Sequence, residues 1–320
     1  MNIIPIVLFV IGLFLLIKGG DWFVDGATGI AHRFHVPELL IGATVVSIGT
    51  TLPEVMVSAT SAVSGHGEIA YGNAIGSVIC NTALIAALTI AIRPSEVDRK
   101  TLTVPVAFFF VAAAFYALIA YTSGNFTRIA GLALVAMFAL YIGINVKQAL
   151  GAAQGKDTSA PNGTSSVKDI FLLVAGAVII AIGANLLIDN GIIIARVMGV
   201  PESVIGLTFV ALGTSLPELV TAVTSLAKGH GLLSLGNIVG ANLLNLVLVS
   251  GVSVLLAPFK IPSSKLIAGI NSSLAVDIPV MFFVMGCLCI PALIRGKLSR
   301  SQGIILLLTY AAFCVYQFAM

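Results

Sequence analysis

The stretch GATVVSIGTTLPE, residues 42–54, returns as GLTFVALGTSLPE at 206–218, so that Glu54 and Glu218 stand 164 residues apart in near-identical frames. Both frames lie inside apolar stretches long enough to cross a bilayer. A charged side chain in hydrocarbon costs roughly 2.5–3.5 kcal/mol even on the lenient insertion scale. A chain that bears this cost twice, in the same context, has a use for both carboxylates. Holding a cation halfway across a membrane is the direct one.

The likeness extends outward at the same offset. Asp25 matches Asp189, and Pro37-Glu38 matches Pro201-Glu202. Gly65-His66-Gly67 matches Gly229-His230-Gly231, Gly72-Asn73 matches Gly236-Asn237, and Asn81 matches Asn245. Residues 36–55 and 200–219 share 12 identities in 20 ungapped positions, which makes the repeat a duplication rather than a chance motif.

The chain is 58% hydrophobic and 9% charged over 320 residues, with a mean hydropathy of +1.10. Soluble domains carry about 25% charged residues, so this is an integral membrane protein lying almost wholly in the lipid bilayer. The net charge of +3 is small and scattered and does not point to nucleic acid. Cys80, Cys287, Cys289 and Cys314 show no metal spacing and read as small packing residues. The apolar N-terminus, Met1 to Ile17, has no basic region ahead of it and no small-residue cleavage site, and reads as a membrane helix.

Apolar runs of about 20 residues predict ten spans, near 3–24, 37–63, 69–92, 102–121, 127–147, 168–190, 201–227, 232–256, 266–290 and 302–319. The expected fold is all-α, with ten transmembrane helices. Residues 1–150 form a first five-helix repeat and 168–320 a second, joined by the Gly/Ser/Pro-rich linker 151–167. An odd number of spans per repeat makes the second enter from the opposite face, giving inverted repeats with the site at the midplane. Arg33, Arg93, Arg99, Lys100, Lys147, Lys156, Lys168, Lys228, Arg295, Lys297 and Arg300 fall on one side. Only Arg128, Arg196, Lys260 and Lys265 fall on the side of the termini. The positive-inside rule then puts the termini outside and the linker in the cytoplasm.

Thr50 and Glu54, like Thr214 and Glu218, are four apart and share a helix face. Pro53 and Pro217 lack an N–H, which frees the carbonyls of Gly49 and Gly213, and freed carbonyls at membrane depth require a partner. Asn73, Ser77 and Asn81 form one stripe at i, i+4, i+8; Asn237, Ala241 and Asn245 form its counterpart. Two-fold assembly brings Glu54, Glu218, Asn81 and Asn245 together with the threonine and serine oxygens, a hard-oxygen set of formal charge −2. Calcium takes about 6–8 such ligands, whereas magnesium demands a tighter octahedron. The set holds no Cys or His, which points away from zinc and copper.

Other acidic and titratable residues read more plainly. Asp25 and Asp189 are expected near helix ends in solvated or capping roles, Glu38 and Glu202 at helix starts, and His66 and His230 in Gly-His-Gly turns. Lys18 is expected to snorkel or to pair with Asp21.

Carried by 42–54 with GNAIGSVICN (72–81), and by 206–218 with GNIVGANLLN (236–245), the chain resembles the cation/calcium exchanger superfamily, and within it the prokaryotic sodium/calcium exchangers. The resemblance implies antiport of roughly three Na+ for one Ca2+ by alternating access, with no cofactor beyond the transported ions and with a monomer sufficient for transport. The first two spans of each half are implied to slide past the rest. By the same resemblance Glu54 and Glu218 bind Ca2+ and share Na+, and Thr50 and Thr214 add oxygens to the Ca2+ site. Thr51, Ser77 and Ser215 flank Na+ sites, Ser47 and Ala211 offer backbone carbonyls, and Asn81 and Asn245 are central. Ala241 departs from the family's serine, and a methyl cannot ligate Na+, which implies a weakened or rebuilt Na+ site. Asn245 stands where potassium-dependent members carry aspartate.

A calcium/proton antiporter using the same glutamates is the rival reading, and a channel with a carboxylate filter is another. No His-Glu-x-x-His, nucleophile–histidine pair or phosphate loop supports an enzyme.

Overall fold

The computed structural model describes residues 3–154, 166–199, 213–262, 266–267 and 269–319. The described residues form ten helices: α1 (Ile4–Arg33), α2 (Glu38–Val63), α3 (Gly67–Ile92), α4 (Arg99–Thr122), α5 (Arg128–Gln154), α6 (Ser166–Val197), α7 (Leu216–Ala227), α8 (Gly231–Leu256), α9 (Ser273–Arg295) and α10 (Arg300–Ala319). Eight of these are long and apolar enough to cross a bilayer; α7 is shorter. Large apolar side chains such as Phe14, Ile17, Leu132, Phe171 and Val174 remain exposed, as a lipid-facing surface requires. In α8, 83% of the apolar window is buried against 22% in α1, which puts α8 at the centre of the bundle.

The first helices of the two halves are locked together. Gly12, Gly19 and Gly26 recur every seven residues on α1, and Gly176 and Gly183 do the same on α6. A Cβ on Gly26 would lie 2.4 Å from the Leu173 nitrogen, and one on Gly176 2.5 Å from the Phe23 nitrogen. Only glycine lets two antiparallel backbones meet this closely. Arg33 Nε donates to Asp169 Oδ2 at 3.2 Å and ties one end of the seam.

Two clamps cross between the repeats on opposite faces. Asn125–Phe126, between α4 and α5, pairs antiparallel with Phe259–Lys260, which follows α8. Reciprocally, the segment after α3 bridges to the α9–α10 loop at Glu96 and Lys297, and the Val97 N–H donates to the Gly296 carbonyl at 2.8 Å. In each clamp the chain leaving a third helix meets the fourth–fifth connection of the other half, the exchange an inverted two-fold produces. At the start of α4, Asp98 caps the helix by accepting from the Lys100 N–H and the Thr101 hydroxyl. Chiefly the Thr101 bond holds this carboxyl below the usual carboxylate range, so the cap is lost only as pH falls through that lowered value.

Several expectations are corrected by the structure. Residues 266–267 are a short strand paired with 270–271, and α9 begins at Ser273 rather than 266. Asp25 lies well inside α1, where its carboxylate takes Lys228 Nζ at 2.8 Å, and Asp189 lies inside α6. Asp21 pairs with Lys228, at 3.4 Å, in place of Lys18. Pro217 does not interrupt a continuous helix. It opens α7, behind a turn at Thr214 and Ser215, so Thr214 and Glu218 do not share a helix face. Pro53, by contrast, is interior to α2.

Candidate cation site

α2 enters its site through a π-helical segment, Gly42–Val46, and then carries Ser47, Thr50, Thr51 and Glu54 on its buried side. α7 presents Glu218 in its first turn, where the helix dipole favours an acid, with Ser215 just ahead. Two further π segments begin at Asn81 in α3 and at Asn245 in α8, the repeat-matched asparagines. Such bulges widen a helix by one residue and are frequent at functional sites. The segment from Asn81 packs on α7 and the segment from Asn245 packs on α2, so each half delivers its asparagine to the other half's glutamate helix.

Glu54, Glu218, Asn81, Asn245, Ser47 and Thr51 are fully enclosed, and Thr50, Ser77 and Ser215 nearly so. Glu54 and Glu218 are close enough for their charges to interact, and Thr50 and Thr51 approach the Glu218 carboxyl. Yet none of the four carboxylate oxygens has a hydrogen-bond partner among the described residues, nor do the side-chain N and O of Asn81 and Asn245, Thr51 Oγ1 or Ser215 Oγ. Each buried polar group without a partner costs about 1–3 kcal/mol, and more when charged. Eight of these ten atoms are oxygens, the four of the carboxylates among them, and together they form an oxygen-rich cage that a cation can satisfy. The Ser47 carbonyl accepts from Thr50 Oγ1 at 3.3 Å, and the Ser47 hydroxyl donates to Thr44 O at 3.1 Å. Ala211 lies outside the described residues, as do Glu202 and the linker 155–165.

A pair of bonds between the halves frames this cage. Thr50 Oγ1 donates to Asn237 Oδ1, and Thr214 Oγ1 donates to Asn73 Oδ1, both at 3.1 Å. Each threonine of one repeat thus meets the Gly-Asn motif of the other. The sequence placed both asparagines in a polar stripe without assigning them a role, although the matching Gly72-Asn73 and Gly236-Asn237 pairs signalled them. Two surface pairs also escaped the reading. His230 Nδ1 lies 2.9 Å from Glu38 Oε1, and Lys228 spans Asp21 and Asp25; both join turn residues to partners about 200 positions away.

α2 closes one side of the cage against α8. A Cβ on Gly42 would sit 2.4 Å from the Leu233 carbonyl oxygen, and one on Gly240 2.6 Å from the Ala43 carbonyl oxygen and 2.7 Å from Ser47 Oγ. Ala241, the departure from the serine pattern, is buried beside this contact.

The sodium/calcium exchanger protein family matches this chain over residues 4–147 and 168–319, one match per repeat. The sodium/calcium exchanger MaX1 of Methanosarcina acetivorans is 29% identical over 97% of both chains. The inner membrane protein YrbG of Escherichia coli is 34% identical over 79% of this chain and 80% of its own length. The solved structure of the sodium-calcium exchanger NCX_Mj superposes with a TM-score of 0.81 at 33% identity, covering 98% of each chain. With its duplicated acidic motif, crossed repeats and helical bundle matched end to end, the chain belongs to the sodium/calcium exchanger family of membrane transporters.

Proposed function

We propose that this transporter is a Na+/Ca2+ antiporter that exports Ca2+ across the cell membrane in exchange for Na+, with Glu54 and Glu218 as the shared cation ligands. The observation that supports it most is the set of four buried, unpartnered carboxylate oxygens, matched across the repeat and flanked by two unpartnered amides. Ca2+ neutralises the −2 charge of the pair, and Na+ ions bound in turn do the same. The empty, doubly charged cage is costly to enclose, so a loaded site crosses between faces and an empty one does not. That restriction makes the protein an exchanger rather than a leak. Thr50, Thr214 and the Ser47 and Ala211 carbonyls complete the oxygen set, with Asn81 and Asn245 at its centre. Thr51, Ser77 and Ser215 serve the flanking Na+ positions.

In this reading the repeats span 1–150 and 168–320, and the linker 151–167 and the α7–α8 turn lie in the cytoplasm with both termini outside. MaX1 and NCX_Mj, similar over nearly the whole chain and named sodium/calcium exchangers, support sodium as the counter-ion.

The test is Ca2+ uptake into proteoliposomes loaded with Na+ or K+, with and without a proton uncoupler. Uptake is expected only with internal Na+ and is expected to survive the uncoupler. Sodium-independent uptake abolished by the uncoupler assigns the same glutamates to proton exchange and overturns the sodium reading.

A further inference from the structure

Thr221, Ser225 and Ser234 lie outside the residues grouped around the two glutamates. On α7, Glu218, Thr221 and Ser225 fall at i, i+3, i+7 on one face; on α8, Ser234, Asn237, Ala241 and Asn245 fall at i, i+3, i+7, i+11. The two helices form an antiparallel hairpin about the turn at Lys228–His230. Its register is read from the first half, where Asn73 Nδ2 donates to Ser58 Oγ at 2.8 Å. Shifting both by the repeat offset sets Ala222 opposite Asn237 and, one turn nearer the loop, Ser225 opposite Ser234. The four polar residues therefore share one seam between the turn and Glu218.

All four are enclosed, yet Thr221 Oγ1, Ser225 Oγ, Ser234 Oγ and Asn237 Nδ2 have no partner among the described residues. Several buried helix hydroxyls away from the cage bond back to the preceding turn: Thr28 to Val24 O at 2.8 Å, Thr82 to Val78 O at 2.8 Å, Ser253 to Val249 O at 2.7 Å. That is the ordinary fate of such groups in apolar helices. The three seam hydroxyls do not take it. The first half lacks the feature: its equivalents are Val57, Ser61 and Ala70, and Asn73 is bonded through both its oxygen and its nitrogen.

The seam also leads to open space. A cavity of about 300 Å³ at the turn side is lined by Glu38, Arg93, Ser95, Leu226 and Gly231. A smaller one shares Arg93, Ser95, Leu226 and Gly231 and reaches Ser234.

We infer that the α7–α8 seam is a hydrated lane along which the transported cation passes between the Glu38/Arg93 cavity and Glu218, with Ser234, Ser225 and Thr221 lending oxygens in turn. The inference rests on the exchange reading above and adds the route on one face. Buried water takes two to four hydrogen bonds from otherwise unpartnered groups, which the seam supplies. Its hydroxyls are neutral, so they replace part of a cation's hydration without trapping it. The inner end is shut here by α2, through Gly42 against Leu233 and Asn237 and the Thr50–Asn237 bond. Opening the lane requires α2 to withdraw from α8.

The test measures exchange with Ca2+ presented on each face in turn, comparing the parent chain with a Thr221→Val, Ser225→Ala, Ser234→Ala triple variant. Half-saturation on the turn side is expected to rise about fivefold or more while the opposite face is unchanged. A purely structural role moves both faces together, and that result, or no shift, overturns the lane. Ser234→Cys gives a second readout independent of transport. A small, impermeant, cationic thiol reagent is expected to modify it from the turn side, above the background of the four native cysteines in the parent; an unmodified, folded Ser234→Cys also overturns the lane. If the parent itself fails to exchange Ca2+ for Na+, the exchange reading falls, and the labelling result still decides the lane.

Discussion

Glu54→Gln and Glu218→Gln are each expected to abolish Na+-driven Ca2+ exchange, while Glu38→Gln, which alters the cavity mouth and not the cage, retains exchange at saturating Ca2+. Glutamine keeps the volume and one oxygen but removes half the charge that Ca2+ must meet, in an enclosed setting where charge is weakly screened. A loss of about 100-fold or more, equivalent to about 2.7 kcal/mol, is the minimum expected. Glu38 starts α2, with His230 Nδ1 2.9 Å from its Oε1, so its loss leaves the cage intact. Proteoliposome flux with the variants at equal reconstituted amounts checks this. Normal exchange by either single variant at Glu54 or Glu218 contradicts the site assignment.

The second large effect concerns closure rather than binding. Gly240→Val is expected to reduce exchange about tenfold or more, because the contact between α2 and α8 is made backbone to backbone. A Cβ there meets the Ala43 carbonyl oxygen at 2.6 Å and the Ala43 Cα at 2.7 Å, both backbone atoms that cannot turn aside, and Ser47 Oγ at 2.7 Å. Overpacking of this kind costs about 1–3 kcal/mol, and it falls on the closed arrangement, not on an arrangement with α2 withdrawn. Gly76, the repeat equivalent, has nothing within 4 Å among the described residues, so Gly76→Val serves as the comparison. Flux and thermal stability measured together separate a failure to close from a failure to fold. Equal flux in Gly240→Val and the parent contradicts the role given to this contact.

Much of this architecture was legible because two physical constraints are severe in a bilayer. Helices must be about 20 residues and apolar, and a buried carboxylate must have a reason to be there. The offset of 164 then tied Glu54 to Glu218 and implied crossed halves. Local breaks were harder. Pro53 and Pro217 occupy matched frames, yet one is interior to a helix entered by a π segment and the other starts a new helix after a turn at Thr214–Ser215. Proline is compatible with both, and tertiary packing chooses. Pairs such as Lys228 with Asp25 or His230 with Glu38 join residues about 200 positions apart and leave no periodic trace. The same holds for Thr221, Ser225 and Ser234. Isolated hydroxyls in apolar helices normally bond to their own backbone, and only the structure reveals that these do not.

In the exchange reading Glu54 and Glu218 hold one cation site that Ca2+ and Na+ share. Equilibrium binding of calcium-45 to the purified protein, titrated with Na+ and repeated with the Glu54→Gln, Glu218→Gln double variant, tests it most directly. Saturable Ca2+ binding that Na+ displaces is expected for the parent, and none for the double variant. Undiminished Ca2+ binding by the double variant, or binding that Na+ leaves untouched, contradicts it.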